Sequence, residues 1–539
     1  MKIAIITIFF LGTILCAQTN YPHLEKTGHT THLVVDGKPF IILGGELGNS
    51  SFTSLEYMEP IWPKLNAMNL NTVLASVYWE LIEPVEGKFE FELYDKLIRK
   101  ARNYNLKLVL LWFGSWKNSM SSHAPGWVKL DQERFPRVKD NTGQSQEILT
   151  PFSKNNLEAD SKAFQALMKH IKDIDDNEHS IIMIQPENEI GMLPVPRDYS
   201  EPANEKFNDN VPGELITYLK SNKENLVPEF KEVWERNGYK ESGTWEEIFG
   251  QGPHTDEIFM AWYYAKFVNA VTEAGKKIYP LAMYVNAALN RPGRLPGYGY
   301  PGAGPLPHIM DIWKAGAPSI DFLSPDIYFP DIEHWCDLYT RQNNPLFIPE
   351  AQGGPAAAAK ALFTIGHYES IGFSSFSIES TSDPENEPIG KSYGLIKQLT
   401  PIITANQGQN KIDGVLFDNE NRQRIIKFGD YEFTAKHSYT LGYEENSKND
   451  TWETTGALIV QTAENEFYLA GSGVVITFKN IKNPELKVGI LKAEEGKFEN
   501  NKWKVIRYLN GDQIHQGRHI RILLSDGYMI QKFELYNYK

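Results

Sequence analysis

Cysteine is almost absent: the 539 residues contain two, Cys16 and Cys336. Such a chain cannot rest on a disulfide framework, so packing must supply its stability. Basic residues are outnumbered, with 54 Lys and Arg against 68 Asp and Glu and a formal charge of −14. That balance argues against polyanion binding, which Lys and Arg drive, and no nucleic-acid partner is expected. Long apolar runs are missing too. The run 3–15 is too short for a permanent membrane helix, and no transmembrane segment is expected. No Gly-rich fingerprint follows the first strand-like run, and no serine-elbow motif occurs. The 13 histidines, among them His123, His254, His308 and His334, show no metal-ligand spacing. Neither metal nor other cofactor is expected. Nothing in the sequence sets an oligomeric state.

At the start, Met1-Lys2, the apolar run and Cys16-Ala17-Gln18 describe a secretory signal peptide over 1–17. The expectation is an exported protein, periplasmic or extracellular, cleaved after Ala17. Lipid attachment at Cys16, giving an outer-membrane form, is the alternative. Cleavage after Ala17 leaves Cys336 alone, with no internal disulfide to form.

The composition is otherwise ordinary for a globular protein, 41% hydrophobic and 23% charged. Eight strand-like runs, at 40–43, 72–77, 107–112, 180–184, 280–286, 321–327, 345–348 and 372–378, alternate with amphipathic stretches. Three of those stretches, 94–105, 256–277 and 356–365, carry helical spacing. Eight such alternations predict an α/β fold, a (β/α)8 TIM barrel over 18–409, with a doubly wound sheet as runner-up. More than ninety residues separate the fourth and fifth runs, and 291–307 is rich in Gly, Pro and Tyr. Both insertions are expected to shape a substrate entrance. After about residue 410 the pattern becomes nine short β-prone runs, at 411–417, 424–428, 457–460, 466–469, 473–478, 486–491, 503–508, 519–524 and 529–536, split by turn pairs such as Asn510-Gly511 and Asp526-Gly527. These predict an antiparallel β-sandwich domain over 410–539. No cluster of exposed aromatics is evident there, which favours packing on the barrel over carbohydrate binding.

In a barrel enzyme, polar groups just past the C-terminal strand ends are candidates for catalysis. The fourth run leads into Gln185-Pro186-Glu187-Asn188-Glu189, and the seventh into Pro349-Glu350-Ala351-Gln352. Strands four and seven face one another across a barrel. Glycoside cleavage needs one carboxyl to protonate the leaving oxygen and a second, ionised, to attack or stabilise the anomeric carbon. Two glutamates across a barrel mouth meet that need without a metal. Glu187 is the alternative acid, but alternation in an extended segment points it away from Glu189.

Several segments together resemble family 35 glycoside hydrolases, the β-galactosidases, and more distantly family 42. These are Trp79-Glu80-Leu81-Ile82-Glu83-Pro84 with Glu86-Gly87-Lys88-Phe89, then Pro125-Gly126-Trp127 and Pro186-Glu187-Asn188-Glu189-Ile190-Gly191. The resemblance spans most of 31–400. It implies a retaining barrel glycosidase with Glu189 as acid/base and Glu350 as nucleophile. It places Asn188 on the sugar 2-hydroxyl and Tyr328 on the nucleophile. Further substrate-binding candidates are Glu46, Asn49, Trp79, Glu80 and Trp116. Glu46 and Asn49 could equally close a turn, Trp79 and Glu80 form a structural pair, and Trp116 sit in the core.

The chain also departs from the family pattern. Ile190 stands where a tyrosine is usual, the third strand lacks Cys-Ala-Glu, and the eighth ends at Glu379 rather than tryptophan. Mechanism is thus better defined than sugar. The expectation is an exo-acting β-galactosidase on a carbohydrate substrate. Its alternatives are the same chemistry on glucose, xylose or arabinose, or a non-catalytic sugar-binding barrel.

Overall fold

The computed structural model of the chain describes residues 21–539. The expected signal peptide, 1–17, lies outside the described residues. Eight parallel strands form the barrel: Ile42–Glu46, Thr72–Tyr78, Lys107–Lys117, Ile181–Asn188, Tyr284–Ala288, Phe322–Ile327, a broken seventh, and Gly372–Phe376. Each falls on a predicted run. The register runs Gly44 to Thr72, Thr72 to Lys107 and Trp112 to Pro186. It continues through a bridge from Ile184 to Met283, then Tyr284 to Phe322, Asp326 to Glu350, Phe347 to Gly372, and Phe376 back to Glu46. The ring therefore closes.

Strand alternation divides the apolar residues between two cores. Leu74, Val109, Leu111, Tyr284 and Phe347 fill the interior. Val73, Ala75, Leu108, Leu110 and Trp112 turn outward onto the helices. A feature the sequence reading missed is a three-stranded antiparallel sheet, His23–Thr27, Thr30–Val35 and Lys38–Phe40. Its Leu33 and Val35 join the interior cluster and plug the bottom of the barrel. The first barrel strand consequently starts at Ile42, two residues later than expected.

The long insertion between strands four and five carries helices Glu201–Asn208, Gly213–Ser221, Pro228–Arg236 and Trp245–Phe249. The loop over 291–307 is tied down beside the fourth strand by a bridge between Met192 and Gly302. A buried carboxylate, Glu257 of helix Pro253–Lys276, anchors it. Glu257 accepts from Ala303 N at 3.2 Å and Tyr300 Oη at 3.3 Å and pairs with His308 Nε2 at 2.9 Å. Burial opposes ionisation of Glu257, but His308, His254 and the Ala303 N–H hold its carboxyl down at about 2.

The last barrel helix, Pro388–Asn406, leads into ten strands in a six-stranded and a four-stranded antiparallel sheet. Nine were expected, and Tyr431–His437 is the addition. Between the sheets lies a second core built on Phe433, Phe467 and Phe533. Leu458, Val460, Tyr468 and Ile530 turn the other way and join the barrel core, so the sandwich is docked. Against expectation, aromatics do gather at its surface: Tyr536 and Tyr538 are exposed and their ring centroids lie 5.5 Å apart.

Candidate active site

Three prolines set the local backbone of the site. Pro349 has no N–H to give the ladder, so the seventh strand breaks into Phe347–Ile348 and Glu350–Ala351. The first piece pairs with strand eight and the second with strand six, which sets Glu350 opposite Asp326. Pro325 precedes Asp326 on strand six, and Tyr328 follows that strand directly. Pro186 opens the fourth strand's irregular end, where Glu187 has φ 62° and Glu189 φ 44°. Left-handed backbone at a non-glycine residue costs about 1–3 kcal/mol and concentrates at functional sites. Here Asn286 holds it in place, its Oδ1 accepting from Glu189 N at 2.9 Å.

The two glutamates sit near enough for the charge of Glu189 to act on Glu350. Glu189 and Glu350 are 8% and 7% exposed, so both carboxyls are largely withdrawn from water. Tyr328 donates its hydroxyl to Glu350 Oε1, and Asn118 donates its amide to Glu189 Oε2. The Glu46 carboxyl is buried on strand one and feels the charge of Glu350. Burial, then the charge of Glu189, pushes the Glu350 carboxyl up to about 7, against the pull of Tyr328, Lys117 and Glu46. Burial also raises Glu189, opposed by Lys117 and Asn118. Glu46 and Asp326 are driven well above the ordinary carboxylate range, by burial first and then by the charge of Glu350. The expectation that Glu350 is simply the low member of the pair is thus refined. Both are raised, and the pair titrates as one coupled system.

Asn188 lies on the fourth strand beside Glu189. Its Oδ1 accepts from Gln185 Nε2 at 2.9 Å and Asn286 Nδ2 at 3.3 Å, while its Nδ2 is buried without a partner among the described residues. Glu187 faces away, as alternation implied. Its carboxylate accepts from Trp116 N at 2.8 Å and Ser115 N at 3.3 Å, next to buried Asp160 of helix Lys154–Asp175. Glu46 meets the nucleophile candidate rather than closing a turn. Asn49 lies in the turn that Ser51 N closes onto the Gly48 carbonyl at 2.8 Å, and its own carbonyl accepts from Ser76 Oγ at 2.6 Å and Tyr78 Oη at 2.8 Å.

Two substrate-binding candidates, Trp116 and Trp79, need correction. Trp116 is fully buried, its ring edge-on to Tyr264 and Phe267 at 5.2 and 4.6 Å, so it presents no platform to a sugar. Trp79 is equally buried against Trp112 and Trp127, with Nε1 donating to Glu83 Oε2 at 2.9 Å. Glu80 is engaged by His123 Nδ1 at 2.8 Å and Lys129 Nζ at 3.8 Å, bracing the rim. Glu379, where the family pattern has tryptophan, accepts from Gly48 N at 2.8 Å and from Ser51, which ties strand eight to the loop after strand one.

A bulge explains the Trp116 error and two omissions. Trp112 pairs with Pro186, yet the next pair is Lys117 with Asn188, so strand three carries three extra residues there. The bulge turns Trp116 outward and brings Lys117 and Asn118 beside Asn188 and Glu189. Neither was picked out from the sequence, nor were Asn286 and Asp326. Asn286 Nδ2 donates to Asp326 Oδ2 at 2.7 Å, linking strands five and six. Asp326 had a usable signal, since it is the acidic residue next to the end of a predicted strand, two residues before Tyr328.

Residues 55–269 match the model of a glycoside hydrolase family 42 domain, described as β-galactosidase. Residues 389–521 match a domain of unknown function. A β-galactosidase from Xanthomonas manihotis is 26% identical over 168 residues, 30% of this chain and 25% of that protein. The human β-galactosidase-1-like protein 3 is 26% identical over 185 residues, 32% of this chain and 26% of that protein. The chain thus matches about a quarter of the length of these curated relatives. Among solved structures, a catalytic mutant of a family 42 β-galactosidase from G. stearothermophilus superposes with a TM-score of 0.52 at 11% identity, covering 95% of this chain and all of that one. That likeness shows the fold, a TIM barrel followed by β domains. The stretch bearing Glu189 matches the family 42 β-galactosidase model, the more distant of the two families that the motifs resemble.

Proposed function

We propose that the chain is a retaining β-glycosidase of the β-galactosidase type, releasing terminal β-galactosyl residues through a covalent glycosyl-enzyme intermediate. One observation carries this: two buried glutamates, from opposite strand ends of one barrel, interact through their charges while a tyrosine hydroxyl is bonded to one of them. Glu350, with Tyr328 bonded to it, is the nucleophile. Glu189, next to Asn188, is the acid/base. Burial and then the charge of Glu189 raise Glu350 to about 7, and burial raises Glu189; a retaining enzyme needs one of the two protonated and the other ionised. Glu189 protonates the leaving oxygen as Glu350 attacks the anomeric carbon. Once the glycosyl bond neutralises Glu350, Glu189 takes a proton from the incoming water. The similarity of 55–269 to β-galactosidases supports galactose as the sugar.

A panel of nitrophenyl glycosides tests the sugar, and NMR of the first-formed product tests retention. Fastest cleavage of the β-galactoside with the β-anomer appearing first is the expected result. Preference for another sugar would move the specificity alone, whereas an α-anomer would remove the covalent mechanism.

A further inference from the structure

We propose that Lys117 selects the sugar held at the catalytic pair, its ammonium donating hydrogen bonds to a ring hydroxyl of the glycone. The inference rests on the glycosidase reading above. Lys117 is 5% exposed, an unusual place for a lysine. Its Nζ lies 5.1 Å from the Phe113 ring centroid. The charge acts on Glu46, Glu189, Asp326 and Glu350, which come from strands one, four, six and seven. Only the middle of the barrel mouth is near all four. Yet Lys117 forms no ion pair within 4.0 Å and no side-chain hydrogen bond among the described residues.

A withdrawn ammonium needs acceptors, and these carboxyls stop short of supplying them. The bulge in strand three is what brings it there, as register partner of Asn188. Asn188 Nδ2, on its register partner, is fully buried without an acceptor. Two neighbouring donors with no acceptor among the described residues call for a ligand rich in oxygen acceptors. Sugar hydroxyls fit, and an ammonium on a flexible stem can turn its three N–H groups toward them. Charge argues for a neutral sugar, because one lysine faces a coupled pair of carboxyls that would repel a uronate or sulfate.

The test is a cycle between Lys117→Met and the 2-, 3-, 4- and 6-deoxy forms of the nitrophenyl glycoside that the wild-type enzyme cleaves best. One deoxygenation should lower wild-type kcat/KM by about 10- to 100-fold. In Lys117→Met the same deoxygenation should cost less than about threefold, while the other three costs stay as they were. If Lys117→Met does not fold, as judged by its melting curve, Lys117→Gln takes its place. Four unchanged costs, with only the acid limb of the pH profile displaced, would make Lys117 a counter-ion and overturn the inference while leaving the glycosidase reading intact. A wild-type enzyme that cleaves no glycoside would instead overturn that reading, and this inference with it.

Discussion

Tyr328 donates its hydroxyl to Glu350 across neighbouring strands, and the backbone sets up the contact: Asp326, two residues before the tyrosine, is the register partner of Glu350. A hydroxyl given to a carboxylate favours its ionised form. Removing it in Tyr328→Phe should raise a Glu350 carboxyl that already stands at about 7. The acid limb of kcat/KM should therefore move to higher pH, with a loss of about 10-fold at pH 6. A limb that stays in place would show that Glu350 does not govern it.

The two glutamates should fail differently when deleted. Glu189→Ala should lose most activity on poor leaving groups and much less on dinitrophenyl glycosides, which need no protonation. Azide should restore its turnover and give the β-glycosyl azide. Glu350→Ala should be inactive on every leaving group, with azide giving only the α-product. A β-azide from Glu350→Ala would reverse the roles.

Glu46 should act as a donor, since its carboxyl is raised well above the ordinary range, by burial first and then by the charge of Glu350. A neutral amide can do the same, so Glu46→Gln should keep most activity. Glu46→Ala should lose about 10- to 100-fold, the worth of a hydrogen bond to a charged group. Equal loss in both would mean that an ionised Glu46 is required.

Stability should follow from the same burial. A carboxyl raised from an ordinary value near 4.5 to about 7 stabilises the fold below the lower value and loses that contribution as pH rises through 7. Glu350→Gln removes the charge that burial disfavours. Its Tm should exceed the wild type's by about 2–5 °C at pH 8 and match it near pH 5. A difference independent of pH would rule out this origin.

Trp116 should matter to folding rather than to sugar binding. Trp116→Ala should cost about 3–5 kcal/mol in denaturant unfolding. Whatever enzyme remains folded should keep its KM within about twofold, and a large rise in KM would restore the residue to the substrate site.

Much of the barrel was legible because each strand is a short apolar run and each helix keeps its own period. The fourth and seventh strands also announced themselves by ending in glutamate motifs. What escaped has a common cause. The bulge before Lys117 and the break at Pro349 change which face a side chain takes without changing the pattern of residue types. Trp79 and Trp116 were misplaced because an indole that stacks on sugars and one that fills a core look alike in sequence. Tyr431–His437 was missed because its inward Tyr, Phe and Ala alternate with Glu, Thr and Lys, a pattern weaker than that of its neighbours. Asn286 gave no warning, since a lone asparagine at a strand end is common.

The seam between barrel and sandwich is unusually close. A β-carbon added at Gly456 would lie 2.9 Å from the carbonyl of Ala359, and one at Gly414 would lie 2.6 Å from that of Phe363. Both carbonyls belong to helix Pro355–His367, the helix that follows Glu350. The match to the domain of unknown function begins at residue 389, inside the final barrel helix Pro388–Asn406. That match thus takes in the last barrel helix together with most of the sandwich. A recombination that carried this sandwich to another barrel would have to bring a matching helix for its glycines to rest on. Insertions should accumulate in the outer hairpins, and the seam should tolerate almost none.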